Sequence, residues 1–309
     1  MKSAYVLVSP ARNEAAYLPG VIESVLAQTI LPLAWVVVSD DSTDATDAIV
    51  SEAAGKNRFI CLLQVDGSRQ RGFGSKARAF QAGYETLRHL DFAFVGNLDA
   101  DVTFEAGYYE RMLREMGRNP RLGVAGGVCW DKTPDGFRMI TINLNHAVGA
   151  VQFFRRECYE AIGGYHPVSV GGVDSLAELT ARMKGWETRS FSDLPFYHHK
   201  PVDSASGRTA VRICYRAGLT EYHTGTRPLF ALAKAVRRWH EAPLVLSVFI
   251  RLFGYGKLWV SGAKRDASDE LVAFLKREQM ARLKQALWSR RASRLHTSAD
   301  FISDQTPSS

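Results

Sequence analysis

This 309-residue chain is sparing with cysteine: Cys61, Cys129, Cys158 and Cys214 lie far apart, with no Cys-x-x-Cys pair. That spacing argues against a disulfide framework, and three of the four sit in or beside apolar stretches, so buried reduced thiols in a reducing compartment are expected. A signal-peptide core is missing as well. Met1-Lys2-Ser3-Ala4 runs straight into Tyr5-Val6-Leu7-Val8, which reads as a first strand and implies a cytoplasmic protein. Nor is there an unbroken apolar run of the roughly 20 residues a membrane span needs. The most apolar segment, 242–262, is interrupted by Arg251 and Lys257 and weakened by Gly254 and Gly256. Acidic residues are scarce in the last third. Residues 1–205 hold 21 Lys+Arg against 24 Asp+Glu, whereas 206–309 hold 18 against 8. The basic residues there are interleaved with aliphatic runs rather than exposed aromatics, which argues against a nucleic-acid partner. They suit an anionic surface, and the expectation is peripheral contact with an anionic membrane.

What is present begins with an ordinary globular composition, 46% hydrophobic and 23% charged. Residues 4–102 alternate strand and helix. Strands are expected at Ala4–Ser9, Trp35–Val38, Phe59–Val65 and Phe92–Leu98. Helices are expected over Leu18–Leu26, whose Leu18, Val21, Ile22, Val25 and Leu26 share a face, after Asp40–Asp44, and over Lys76–Leu90. This βαβα rhythm predicts a parallel sheet covered by helices on both faces. Further on, Gly123–Trp130, Ala147–Phe154 and Arg189–His199 read as strands. Glu157–Ile162 reads as a short helix, and Gly171-Gly172-Val173-Asp174 opens a helix that Gly185 ends. Segment 242–262 fits either an interfacial or re-entrant helix, with its basic residues toward lipid headgroups, or a helical pair packed on the body. Ser268-Asp269-Glu270 starts a last helix with Leu271, Leu275, Leu283 and Leu287 on one face, followed from Ser293 by a disordered tail.

The polar clusters fall at strand ends. Asp99 and Asp101 close an apolar strand, Asp40 and Asp41 close another, and Pro10-Ala11-Arg12-Asn13-Glu14 closes the first. In open α/β sheets ligands sit beyond the carboxyl ends of the strands. Two carboxylates on alternate residues there suit a hard divalent cation holding a diphosphate, because unpaired buried acids are otherwise costly.

In this order the segments resemble the family 2 glycosyltransferases, and the resemblance runs from about Tyr5 to Pro201. It implies an α/β GT-A fold: a Rossmann-like mixed sheet flanked by helices, with a C-terminal helical extension. The expected organisation is a catalytic domain over 1–204 (nucleotide half 1–102, acceptor half 103–204), a basic helical region over 205–292 and the tail. Val-Ser-Pro-Ala-Arg-Asn-Glu resembles the first-strand motif, which implicates Pro10, Arg12, Asn13 and Glu14 in nucleotide-sugar binding. Asp40 and Asp41 resemble the stretch that holds the base, and a carboxylate there accepts the imide N–H of uracil. Gly72-Phe73-Gly74-Ser75-Lys76-Ala77 resembles a diphosphate-side region, with Gly74 and Lys76 as contacts. Asp99 and Asp101 take the family's Asp-x-Asp role toward Mg²⁺ or Mn²⁺, Asp101 ligating and Asp99 also near the ribose. His199, slightly ahead of His198, completes the metal set. Asp174 falls on the catalytic base, with Val173 where Glu is usual. Gly164-Tyr165-His166-Pro167 and Arg155-Arg156 resemble the acceptor-side loop. Arg277–Leu283 does not match the Gln-x-x-Arg-Trp motif of processive synthases, since Leu replaces Trp.

The resemblance implies an inverting, metal-dependent transferase moving a sugar, from UDP by expectation, to a lipid-linked or polysaccharide acceptor at the cytoplasmic membrane face. A polyprenyl-phosphate glycosyltransferase and a non-catalytic nucleotide-sugar-binding protein are the alternatives.

Overall fold

A computed structural model describes residues 4–66, 74–140, 144–200 and 210–281. Gly72, Phe73, Pro201, Leu283, Leu287 and the tail from Ser293, all named above, lie outside the described residues.

The first half alternates as expected: β1 (Tyr5–Ala11), α1 (Leu18–Leu26), β2 (Ala34–Asp40), α2 (Thr46–Lys56), β3 (Ile60–Val65), α3 (Ser75–Leu87) and β4 (Phe94–Asn97). Then come β5 (Val102–Phe104), α4 (Tyr108–Arg118), β6 (Leu122–Thr133), β7 (Gly136–Met139), β8 (Phe153–Arg155), α5 (Arg156–Ala161), α6 (Val173–Met183) and β9 (Glu187–His198). Three helices follow, α7 (Ala210–His223), α8 (Pro228–Arg237) and α9 (Leu246–Ser261), and residues 269–281 form α10.

The sheet runs β3-β2-β1-β4-β8-β6-β9-β5, with β7 paired to β6. Its first four strands are parallel; β8 is antiparallel to both β4 and β6, and β5 to β9. The sheet is therefore mixed. Chain order reverses between β1 and β4, so a crevice opens beyond the carboxyl ends of these two strands.

Strand alternation sends residues to two cores. Tyr5, Leu7, Trp35 and Val37 meet α1 and α4 on one face, and Val6, Val8, Val36 and Val38 meet α3, α5 and α6 on the other. The second core also takes Leu271 and Leu275 from α10, and Arg182 on α6 bonds Glu278 on α10 at 3.0 Å. The last described helix is thereby fastened to the sheet's helical layer. Its start is capped by Ser268 Oγ, which accepts the Leu271 N–H. Asp44 serves α2 similarly, its Oδ1 accepting the Thr46 N–H at 3.0 Å.

The segment 147–154 departs from the strand expected there. Gly149–Val151 form a single 3₁₀ turn and only Phe153 begins a strand. The turn forms because Asn97 Nδ2 donates to the Gly149 carbonyl at 2.7 Å, pulling the chain out of the ladder. α9, inside the interrupted apolar segment, lies against α7, where Gly218 and Gly254 let the two backbones approach closely. Among the described residues no helix is long and apolar enough to cross a membrane.

Candidate active site

The crevice at the β1/β4 reversal is a cleft of about 610 Å³ lined by Pro10, Arg12, Glu14, Asp40, Lys76, Asp99 and Asp101, with Ala11, Ser75, Ala79 and Ala100. Seven residues singled out from the sequence thus converge, although they come from four separate segments. Asn13, Asp41 and Gly74 stand outside its lining.

Asn13 adopts the left-handed backbone (φ 54°), and so does Asp41 (φ 57°), a region that Asn and Asp tolerate best after glycine. Asn13 ties two loops together: its side-chain Oδ1 accepts the Thr43 N–H at 2.8 Å, while its backbone N–H donates to Ser42 Oγ at 3.2 Å. Glu14 N–H donates to Thr46 Oγ1 at 2.9 Å, closing the same seam. Asn13 is therefore a tie between the β1 and β2 ends, which holds Arg12, 3.7 Å from Asp41, and Glu14 at the cleft wall. Gly74 precedes α3 with an ordinary φ; its lack of a side chain answers Pro167, whose Cβ would lie 2.9 Å from an added Cβ.

At the cleft floor, buried Asn97 donates to Asp99 Oδ1 at 3.0 Å as well as to the 3₁₀ turn, and Asp99 N–H donates to the Ala150 carbonyl at 2.9 Å. Lys76 Nζ stands 2.6 Å from Asp99 Oδ1. Burial pushes the Asp99 carboxyl up and Asp101 adds to this, against the pull of Lys76. Burial alone would lower the Lys76 ammonium, yet Asp99, Asp174 and Asp101 outweigh it and hold the ammonium above its ordinary value. Glu14 is likewise raised by burial, relieved by Lys200 Nζ at 2.6 Å and raised again by Asp101 and Asp99. Two buried carboxylate oxygens here, Glu14 Oε2 and Asp101 Oδ1, have no hydrogen-bond partner, and neither has Asn97 Oδ1. Orphaned carboxylate oxygens in a field of like charge fit a hard divalent cation, which takes oxygen ligands.

The histidine that reaches these acids is His198, not His199. His198 Nε2 lies 3.2 Å from Asp101 Oδ2 and its Nδ1 lies 3.0 Å from Asp131 Oδ1. Burial lowers its basicity, but hydrogen bonds to Asp101 and Asp131 prevail and hold its pKa up at about 10. His199 turns to Thr103 Oγ1 at 2.7 Å and packs edge-on against Phe137. Successive residues of a strand face opposite ways, so only one of the pair can meet Asp101. Cys129, Asp131 and His198 bring ligand atoms within 4.8 Å of one another. Burial raises the Cys129 thiol, which keeps it protonated, and a thiol is a poor partner for Mg²⁺ or Mn²⁺.

Asp174 is near enough to raise the Lys76 ammonium together with Asp99 and Asp101. Gly171 and Gly172 hold positive φ (111° and 90°) so that α6 starts abruptly, with Asp174 in its first turn, at the positive end of the helix dipole. Gly149 makes room for it: a Cβ there would lie 2.6 Å from Asp174 Oδ2. The surrounding frame is buried and polar. Gln152 Nε2 donates to the Ala147 carbonyl at 3.0 Å, and Tyr165 Oη donates to Gln152 Oε1 at 2.6 Å. A second cleft of about 1320 Å³ is lined by Ser175, His146, Glu178 and Arg182 and by residues of α7, α8 and α10. His146 pairs with buried Glu178; burial lowers its basicity, but Glu178 and then Asp174 raise it overall. The Asp174 carboxylate is thus felt by Lys76 in the first cleft and His146 in the second.

The acceptor-side arginines have other partners. Arg155 donates to the Met116, Asn119 and Leu122 carbonyls, and Arg156 to those of Arg88 and Leu90. Residues that the sequence did not single out are Asn97, Asp131, His146, Gly149, Gln152 and Glu178. Two polar residues in an apolar run, Asn97 and Gln152, were the available signal.

Comparison with known proteins bears on this geometry. The model of a family described as glycosyl transferase family 2 matches residues 6–169, just over half of the chain. Two curated relatives, the chondroitin synthase of Pasteurella multocida (strain Pm70) and the hyaluronan synthase of Pasteurella multocida, each align at 26% identity over 127 residues, 41% of this chain. The chain spans only 12% of the length of either. Among solved structures, the mannosyltransferase PcManGT from Pyrobaculum calidifontis, in complex with GDP-Man and Mn²⁺, superposes with a TM-score of 0.53 at 18% identity, covering 98% of this chain and 88% of that one. S. aureus TarS in complex with UDP-GlcNAc gives 0.54 at 14%, covering 84% and 73%. At these identities the likeness shows the fold, which is the GT-A arrangement.

Proposed function

The chain belongs to glycosyl transferase family 2, and on that premise we propose that it transfers a sugar, with inversion, from a nucleotide diphosphate donor to a hydroxyl of a lipid-linked or polysaccharide acceptor. The observation that carries this is the arrangement around Lys76: Asp99 at 2.6 Å, two orphaned carboxylate oxygens in the same cleft, and Asp174 near enough to raise the same ammonium. In this reading the first cleft takes the donor. Asp40 accepts the imide N–H of a uracil base, Arg12 and Pro10 border the nucleotide, and Lys76 faces the diphosphate. UDP is the nucleotide favoured by that carboxylate, and TarS, of the same fold, is known with UDP-GlcNAc.

Asp101 and Asp99, with His198 rather than His199 as their imidazole neighbour, would hold Mg²⁺ or Mn²⁺. When bound, the cation neutralises the leaving diphosphate, so no protein acid has to protonate it. The acceptor enters through the second cleft, and Asp174 takes the proton from its hydroxyl. The new bond forms between that oxygen and the anomeric carbon as the bond to the diphosphate breaks. The diphosphate departs with the electron pair, and the proton remains on the Asp174 carboxylate. The enzyme is expected to act as a peripheral protein at the cytoplasmic face of a membrane.

A panel of nucleotide sugars, followed by thermal shift with and without Mn²⁺, tests donor and metal together, since a ligand bound to the folded state raises the midpoint. Asp174→Asn should preserve the donor shift and lower transfer by roughly 10²–10⁴-fold. In Asp101→Asn the Mn²⁺-dependent part of the shift should vanish. If no nucleotide diphosphate sugar moves the midpoint with metal, or Asp174→Asn transfers at the parental rate, the reading fails. Transfer to a bare polyprenyl phosphate would favour the lipid-phosphate alternative, and donor binding without any transfer would favour a binding protein.

A further inference from the structure

α8 is built inside out. Its inward positions are the small residues Ala231 and Ala235, while Leu229, Leu232 and Val236 project to solvent, Leu229 at 63% exposure. A surface helix normally buries its large apolar residues and shows polar ones. α9 repeats the inversion. Its packing side against α7 is made by Gly254 and by Tyr255, and its outward stripe carries Phe249 (65% exposed), Phe253 (67%) and Val260 (82%). The close approach at Gly218 and Gly254 keeps these rings out of the α7 contact, save that Phe253 lies 6.0 Å from the Tyr215 ring between centroids, and both remain about two-thirds exposed. The two helices touch each other and are joined by a segment that also exposes Trp239. Exposed apolar surface of this extent, contributed by neighbouring helices, marks an interaction face rather than scattered surface residues.

The charge around it specifies the partner. From Arg227 to Lys264 there are seven Lys+Arg and one acid, Glu241. Glu241 is taken up by Arg251 and lies 3.7 Å from Arg238. Arg237 and Lys257, both exposed, stand beside the apolar stripes. Aromatic and aliphatic side chains flanked by cations are what the headgroup boundary of an anionic bilayer accepts. The 16 residues of α9 span about 24 Å, short of the roughly 30 Å hydrocarbon core, so the helix lies along the surface and does not cross it.

We propose that the outward face of α8 and α9 is a docking surface for an anionic lipid bilayer, with Phe249 and Phe253 entering the headgroup boundary. The inference deepens the membrane-borne acceptor of the proposed function and rests on that part of it. It also accounts for the placement of the second cleft. Phe230 and Lys234, on α8, and Arg238 just past its end line that cleft, so docking by α8 brings its mouth to the level of the headgroups where a lipid-linked glycan would stand.

Sedimentation with vesicles tests this without donor or acceptor. The parent should partition onto equal mixtures of phosphatidylglycerol and phosphatidylcholine more than onto phosphatidylcholine alone. Phe249→Glu with Phe253→Glu should lower that partition by at least about tenfold, with an unchanged thermal midpoint because both rings are exposed. Arg237→Gln with Lys257→Gln should remove the preference for the anionic vesicles. A parent that stays in solution with both vesicle types overturns the proposal, as does a double phenylalanine variant that binds like the parent. Light scattering that shows a dimer, dissolved by the same variant, would instead assign the face to a second copy. The Mn²⁺-dependent donor shift is measured on the same proteins. Its persistence beside absent vesicle binding condemns the surface alone, and its loss in the parent condemns the donor chemistry.

Discussion

Replacing Gly149 with alanine should slow sugar transfer far more than it weakens donor binding. The glycine sits at the start of the 3₁₀ turn in a backbone conformation open to any residue, so the added methyl brings no backbone strain of its own. It would stand 2.6 Å from Asp174 Oδ2 and 2.7 Å from both Asp174 Cβ and Cγ. Ordinary contact begins at 3.4 Å, so the two groups must separate by about 0.8 Å. Rotating the Asp174 side chain clears its oxygen but not its Cβ, so backbone has to move. The turn is tied to the acidic strand end by Asn97 at 2.7 Å and by Asp99 N–H at 2.9 Å, which leaves the N-terminus of α6, with Asp174, as the freer partner. A misplacement approaching 1 Å in a reacting group costs up to about 10²-fold in rate, or roughly 2.7 kcal/mol of barrier. The assay is steady-state transfer with a nucleotide sugar and Mn²⁺, with donor Kd from calorimetry on the same preparation. The kcat should fall by about tenfold to a hundredfold while Kd stays within about twofold. In an Asp174→Asn background the same methyl should cost almost nothing more, because the group it displaces no longer acts. Parental kcat in Gly149→Ala at an unchanged midpoint, or a full additional loss on top of Asp174→Asn, refutes the reasoning.

Phe153→Ala tests the core beneath the site. The ring is fully buried, 5.5 Å from Phe94 and 5.7 Å from Tyr5 between centroids, and its loss should lower stability by about 3–5 kcal/mol in denaturant titration. A cost below about 1 kcal/mol would mean that the sheet collapses onto the void and that the stacked rings contribute little. His146→Gln tests the pair with Glu178. Because the folded state raises this histidine, its stabilisation is fully present below the unfolded value near 6.5 and is lost as pH rises through the higher folded value. The imidazole is partly exposed, so the effect is about 1 kcal/mol or less. The midpoint gap between parent and variant should be largest near pH 6 and close at alkaline pH; a gap that widens with pH contradicts the pairing.

Much of the first half was legible along the chain because each element there carries its own signal. Tyr5–Val8, Trp35–Val38 and Phe94–Val95 are apolar runs that water will not leave exposed, and the helix of Leu18, Val21, Ile22 and Val25 has a single apolar face. The acids at the strand ends were legible for the same reason: an apolar strand that stops at Asp40, or at Asp99 and Asp101, has no local use for a carboxylate. Segment 147–154 was misread because Val148, Val151, Phe153 and Phe154 give a strand-like pattern, while the bond that bends it comes from Asn97, some fifty residues earlier.

Local pattern, then, determined the alternating α/β framework, the crowding of acids at the mouth of the sheet and the basic, apolar character of the final third. The tertiary structure decided which side chains meet there. Whether His198 or His199 faces Asp101 depends on the register of β9 against β5 and β6, where His198 is paired with both Val102 and Asp131, and a one-residue slip would exchange them. Asn13 became a loop tie, Gly149 became the space for Asp174, and α8 and α9 turned large apolar residues outward. Each outcome depends on partners far away in the chain, and residue type and spacing do not encode that distance.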